Sequence, residues 1–67
     1  MDTSKWNAED RRLVTIINET EAKLAQTRAD REKNPHLAAV CDKWIAKYES
    51  QLVEMRAQLE MAKSLYV

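Results

Sequence analysis

A single proline, in a chain that contains no glycine, is the feature that most constrains the fold. Glycine takes a positive φ at little steric cost, so its absence disfavours long irregular loops. Pro35 would break a helix interior, but it fits the first position of a helix that has Asn34 as its N-cap. The chain is therefore predicted to form helix 1 at about 7–33, a bend at 33–35 and helix 2 at about 35–66.

Apolar residues recur at intervals of three and four on both sides of this bend, which is typical of amphipathic helices. Asn7 is the expected N-cap of helix 1, with acidic residues in the first turn that follows it. The stripe of helix 1 comprises Trp6, Leu13, Ile17, Thr20, Leu24, Thr27 and Arg31. The stripe of helix 2 comprises Leu37, Cys41, Trp44, Tyr48, Leu52, Met55, Leu59, Ala62 and Tyr66. The side chains that we expect to be mostly buried are Leu24, Trp44, Tyr48 and Leu52.

These stripes predict an all-α antiparallel two-helix hairpin that forms a single domain over residues 1–67. With a short bend, residues whose numbers sum to about 69 should meet, which places Trp6 near Tyr66. Each apolar arc spans roughly 140–160°, wider than one neighbouring helix covers. The flanking residues that one hairpin would leave in water are Val14, Ile16, Val40 and Ile45. We therefore expect a homodimer, in which two hairpins form a four-helix bundle. The other solution is a marginally stable monomer that docks on a larger partner.

Charge and composition give information about the class of partner and the location of the protein. Eleven basic and eleven acidic residues cancel, so net charge favours neither a polyanionic nor a basic partner. A single cysteine cannot form an internal disulfide, which favours a reducing compartment such as the cytoplasm. The longest apolar run, at 37–41, is far shorter than the roughly 20 residues of a membrane span. We expect neither membrane insertion nor a secretory signal.

The residue types that carry catalysis or bind metals are sparse. His36 is the only histidine, and the nearest nucleophile, Cys41, has no orienting carboxylate in the adjacent sequence. The chain has no His-x-x-x-His, Cys-x-x-Cys or Glu-x-x-His spacing, and without glycine it cannot form a phosphate-binding loop. We expect a protein that is not an enzyme and that uses no cofactor or metal.

Two surfaces are candidates for binding a partner. One is a stripe of mostly small residues on helix 2, opposite the predicted core, where another backbone could approach closely: Ala39, Ala46, Ser50, Val53, Ala57 and Met61. Alanine is also simply the best helix former on a solvent face. The other is a group of basic and aromatic residues near the bend, where a cation could lie over an indole ring: Arg28, Arg31, Lys33, His36 and Trp44.

These surfaces favour a small adaptor or inhibitor that binds a larger protein. The alternatives are an RNA- or DNA-binding hairpin dimer that uses the basic bend, and a structural subunit of a larger assembly. Asp30, Glu32 and Asp42 lie among the basic residues and weaken their field. In length and outline the expected fold resembles small plasmid-encoded RNA-binding hairpin dimers. The resemblance includes no shared motif, so it assigns no role to any residue of this chain.

Overall fold

A computed structural model describes residues 3–66, and Met1, Asp2 and Val67 lie outside them. Two α-helices, α1 at Ala8–Lys33 and α2 at Ala38–Leu65, are joined through a 3-10 turn at Pro35–Leu37. Within residues 3–66 there is no strand, and no backbone φ is positive. The helices pack against each other in a rod 47 Å long and 15 to 17 Å across. The predicted all-α class and the pair of packed helices are confirmed.

The N-terminal cap of α1 is the one that the sequence predicts. The Asn7 side-chain oxygen accepts a hydrogen bond from the Asp10 backbone N–H at 2.8 Å. This bond satisfies one of the N–H groups that lack a partner in the first turn of a helix. Glu9 and Asp10 lie in that turn, where the helix dipole favours negative charge.

The bend differs from the prediction. The side chain of Asn34 does not cap α2. Instead, its backbone N–H and its Nδ2 both donate to the Asp30 carbonyl, at 2.8 and 3.3 Å, so Asn34 closes the end of α1. The Leu37 N–H donates to the Asn34 carbonyl, which produces the tighter 3-10 turn. The α-helix therefore begins at Ala38, three residues later than the sequence suggested.

The core lies along the facing stripes of the two helices. Its buried residues are Trp6, Ile17, Thr20, Leu24, Cys41, Leu52, Leu59 and Ala62. Leu52 is 2% exposed and Leu24 is buried, as predicted, and Tyr48 is partly buried against the core. Of the four expected flanking residues, Ile16 and Val40 are exposed, whereas Val14 and Ile45 pack against the core.

The prediction that Trp44 is mostly buried is wrong, because 45% of its surface is exposed. Between Leu24 and the bend, α1 carries alanine, threonine and charged or amide side chains, and no large apolar residue. The end of α1 therefore has nothing with which to cover an indole ring. Trp44 lies at the edge of the apolar arc of α2, on the part that α1 leaves open.

The polar pairs that connect the helices show the antiparallel register. The residue numbers of Arg28–Glu49, Arg31–Asp42, Glu21–Arg56 and Asp10–Tyr66 sum to 77, 73, 77 and 76. These sums exceed the predicted 69. The 3-10 turn adds residues to the bend, and helical side chains tilt toward the N-terminus of their own helix. In this hairpin the tilt carries side chains of α1 away from the bend and side chains of α2 toward it. A given residue of α1 therefore meets a higher-numbered residue of α2, and the sum of the two numbers rises.

The open end of the hairpin, opposite the bend, is closed by aromatic stacking. The rings of Trp6 and Tyr66 stack with centroids 5.2 Å apart and an interplanar angle of 15°. The Tyr66 hydroxyl donates to an Asp10 carboxylate oxygen at 2.7 Å and accepts from the Asn7 N–H at 3.3 Å. The predicted proximity of Trp6 and Tyr66 is confirmed, and this cluster joins the start of α1 to the end of α2.

Candidate interaction surface

One side of the hairpin is held by three salt bridges between the helices. Their N–O distances are 2.8 Å for Arg28–Glu49, 2.6 Å for Arg31–Asp42 and 2.8 Å for Glu21–Arg56. The three α2 partners, Asp42, Glu49 and Arg56, are seven residues apart and therefore share one line of the helix. Because these side chains are about half exposed, solvent screens each pair and its contribution to stability is small. We call this the salt-bridge side.

The basic residues predicted near the bend do not form one surface. Arg28 and Arg31 each hold a carboxylate on the salt-bridge side, and the hydrogen bond to Asp42, with its negative charge, raises the pKa of Arg31. Lys33 and His36 are exposed at the bend. Trp44 lies about 160° around α2 from Asp42, on the opposite side. The expectation that these arginines approach the Trp44 ring is not met, since both bind carboxylates of α2.

The cation over Trp44 is instead Lys47, whose Nζ lies 4.8 Å from the ring centroid. Such contacts contribute about 0.5–1 kcal/mol at exposed sites. Trp44 also approaches Tyr48, with ring centroids 5.8 Å apart and planes tilted by 30°. Because Tyr48 packs on the core, it gives the exposed indole ring a fixed support.

Away from the salt-bridge side, α2 presents a line of exposed residues at intervals of four and three. We call this line the α2 seam; its residues are Val40, Trp44, Lys47, Gln51, Glu54, Gln58, Met61 and Leu65, and all are exposed. Apolar residues occupy both ends, with exposed fractions of 56% for Val40, 45% for Trp44, 71% for Met61 and 78% for Leu65. Among the large exposed hydrophobic residues of α2, only Val53 lies off this line. The intervals are those of a coiled-coil heptad.

A groove at the bend end of the seam is lined by Val40, Lys43, Trp44 and Lys47. Their spacing is i, i+3, i+4 and i+7, which is the four-residue hole that receives a side chain of a facing helix in knobs-into-holes packing. A second groove, toward the open end, groups Gln58 of the seam with Ile16 and Leu13 of α1. Ile16, itself 39% exposed, therefore lies on the same side of the hairpin as the seam.

The predicted stripe of small residues is exposed throughout. It lies on the face of α2 that points away from α1, and it shares only Met61 with the seam. Sequence periodicity alone did not predict the seam, because Trp44 has the spacing of the core stripe and Val40 that of its flank. The polar residues Lys47, Gln51, Glu54 and Gln58 also interrupt the apolar pattern. The unbroken four-and-three spacing was the signal that could have revealed it.

The described residues carry no other recognisable site. Neither helix within residues 3–66 is both long enough and apolar enough to cross a membrane. In the same part of the chain, no group of three histidine, cysteine or acidic side chains could hold a metal ion. Cys41 is a free, buried thiol. The chain matches no protein-family model, and it has no significant match among curated proteins or solved structures.

Proposed function

We propose that this chain is a non-catalytic protein-interaction module. Two hairpins pair through the α2 seam into a four-helix bundle, and the bundle acts as a small adaptor or inhibitor of a larger protein. The observation that carries this proposal is the unequal distribution of side chains around α2. Cross-helix ion pairs occupy one side, whereas Val40, Trp44, Met61 and Leu65 are exposed on another.

Exposed apolar surface of this kind supports association between proteins. Single exposed apolar residues are ordinary. Val40 and Trp44 are one helical turn apart, as are Met61 and Leu65, so each end of the seam presents a joined apolar patch of the kind found at interaction sites. Tryptophan is among the residues that contribute most to binding energy at protein interfaces. The buried Cys41 thiol is compatible with a reducing compartment, and we place the module in the cytoplasm.

Nucleic-acid binding is the second candidate, and one observation favours it. Lys43 and Lys47 flank the exposed Trp44 ring, and an aromatic ring among cations is a platform on which single-stranded bases can stack. Arg28 and Arg31 do not extend this platform, because both contact carboxylates on the salt-bridge side. An affinity for single-stranded RNA that falls steeply with salt would support this second candidate against the first.

Replacing Trp44 with glutamate is expected to abolish pairing. Wild-type protein should sediment at about twice the 7.8 kDa chain mass at micromolar concentration. The Trp44→Glu variant should sediment at the chain mass while keeping its helical circular dichroism, because the new carboxylate would lie in the apolar part of the interface. Analytical ultracentrifugation measures both masses.

The matched control is Val53→Glu, which puts the same charge on an exposed residue of α2 outside the seam. It should leave the dimer mass unchanged. A wild-type chain that stays monomeric, or a Val53→Glu variant that dissociates as readily as Trp44→Glu, would contradict the proposed role of the seam.

The stripe of small residues is the surface that we propose for the larger partner, because pairing through the seam leaves every residue of the stripe except Met61 exposed. The wild-type chain is expected to capture a large protein from an extract of the native host. Ala46→Glu and Ala57→Arg should each abolish that capture. Substitutions at exposed helical positions change stability by about half a kcal/mol or less, so both variants should stay folded and dimeric. Affinity capture with mass spectrometry measures the loss.

The control for this capture is a double charge reversal at the bend, Arg28→Glu with Arg31→Glu. It should retain the captured protein. If the double reversal loses the protein while both alanine variants keep it, the bend is the recognition surface and the stripe is ordinary solvent face.

A further inference from the structure

We infer that the occupant of the α2 seam is a second copy of this chain in antiparallel orientation, so that the two bends lie at opposite ends of the bundle. This inference rests on the proposed pairing through the seam and specifies its geometry. A two-fold interface requires a self-complementary surface, because the same surface serves both partners. The apolar ends of the seam meet apolar residues in either orientation, but its charged residues avoid facing their own copies only when one copy is reversed.

The apolar residues of the seam match in the reversed orientation. Val40 faces the partner's Leu65, and Trp44 faces the partner's Met61, since both pairs of residue numbers sum to 105. The groove formed by Val40, Lys43, Trp44 and Lys47 then receives the partner's Met61 as a knob. Methionine suits this position because its flexible thioether packs well against aromatic rings.

The charges of the seam also favour the antiparallel orientation. Lys47 lies within about one helical turn of the partner's Glu54 when the copies are antiparallel. When the copies are parallel, Lys47 faces the partner's Lys47 and Glu54 faces the partner's Glu54. Like charges at facing positions destabilise a coiled coil and select against that orientation. In the antiparallel dimer Glu54 faces the partner's Gln51, whose amide can donate to the carboxylate.

The area available is adequate for a stable dimer. A lateral face of 47 by 15 to 17 Å has a projected area of roughly 700–800 Å², close to the roughly 800 Å² that each partner buries in a standard interface. Ile16 of α1 lies on the same side as the seam. It therefore adds α1 to the contact, as a four-helix bundle requires.

The orientation can be measured with spin labels at the bend. In a Cys41→Ala background, a label at His36→Cys reports the distance between the two bends by pulsed dipolar spectroscopy. The antiparallel dimer places the labels about 45–50 Å apart, from the 1.5 Å rise per residue of α2. A parallel dimer places them less than about 25 Å apart, since adjacent helix axes are 8–10 Å apart. A dimer with the short distance overturns the orientation and leaves the proposed pairing intact, whereas a monomer overturns both.

A charge exchange across the seam tests the same geometry without labels. Lys47→Glu and Glu54→Lys should each weaken the dimer roughly tenfold, because each turns two symmetry-related attractions between opposite charges into repulsions. The double variant should restore the wild-type dissociation constant. In a parallel dimer each single variant only replaces one like-charge pair by another. Unchanged dissociation constants for both single variants would therefore overturn the antiparallel arrangement.

Discussion

Replacing Leu52 with alanine is expected to lower the free energy of unfolding by about 2–4 kcal/mol. Leu52 is the most completely buried large side chain of the described residues, at 2% exposed, and it lies in the middle of the core cluster. Its truncation removes apolar contact and leaves a cavity that two rigid helices cannot readily close. Total stabilities of small domains are only several kcal/mol, so this loss should move the unfolding transition strongly.

Chemical denaturation followed by circular dichroism, at one fixed protein concentration, measures the loss. Val53→Ala is the matched control, because Val53 is the next residue of the same helix and is 69% exposed. It should change the free energy of unfolding by less than about half a kcal/mol. An equally small effect at Leu52 would show that the facing stripes do not form the core.

Replacing Trp6 with alanine is expected to lower the free energy of unfolding by about 3 kcal/mol, at the lower end of the range for buried tryptophan. Trp6 is 8% exposed and stacks on Tyr66. Its loss also removes the support that holds the Tyr66 hydroxyl against Asp10. Denaturation measures the global effect, and amide hydrogen exchange should show the first turn of α1 opening first.

The matched variant Trp6→Phe keeps an aromatic ring in the stack and should lower the free energy of unfolding by about 1 kcal/mol. If Trp6→Phe and Trp6→Ala are equally destabilising, the stacked ring is not what joins the ends of the helices. If neither is destabilising, Trp6 contributes nothing to the core.

Much of the fold follows from local rules that a sequence displays directly. Asn7 as a cap and Pro35 as a helix breaker act through the backbone of neighbouring residues, so their positions predict where α1 begins and where the chain turns. The role of Asn34 could not be predicted in the same way. Its side chain can cap the helix that follows or close the helix that precedes, and the formation of a 3-10 turn decided for the latter.

The candidate site was less predictable than the fold. Periodicity indicates which way a side chain points, but it does not indicate whether side chains of the neighbouring helix cover it. Trp44 has the spacing of a core residue, yet the polar end of α1 leaves it exposed. The salt bridges distinguish the seam from the rest of α2, because they occupy the opposite side of the helix. The assignment of the larger partner to the stripe stays a prediction, which the paired substitutions in the stripe and at the bend test.

The aromatic closure at the open end has a kinetic consequence. The Trp6–Tyr66 stack and the hydrogen bond between Asn7 and Tyr66, which spans 59 residues of sequence, close the longest loops among the described contacts. They therefore carry a larger entropic penalty than any contact near the bend. Contacts that form after the folding transition state slow unfolding without accelerating folding. The nucleus of this hairpin is therefore expected at the bend, while the Trp6–Tyr66 stack sets the lifetime of the folded chain.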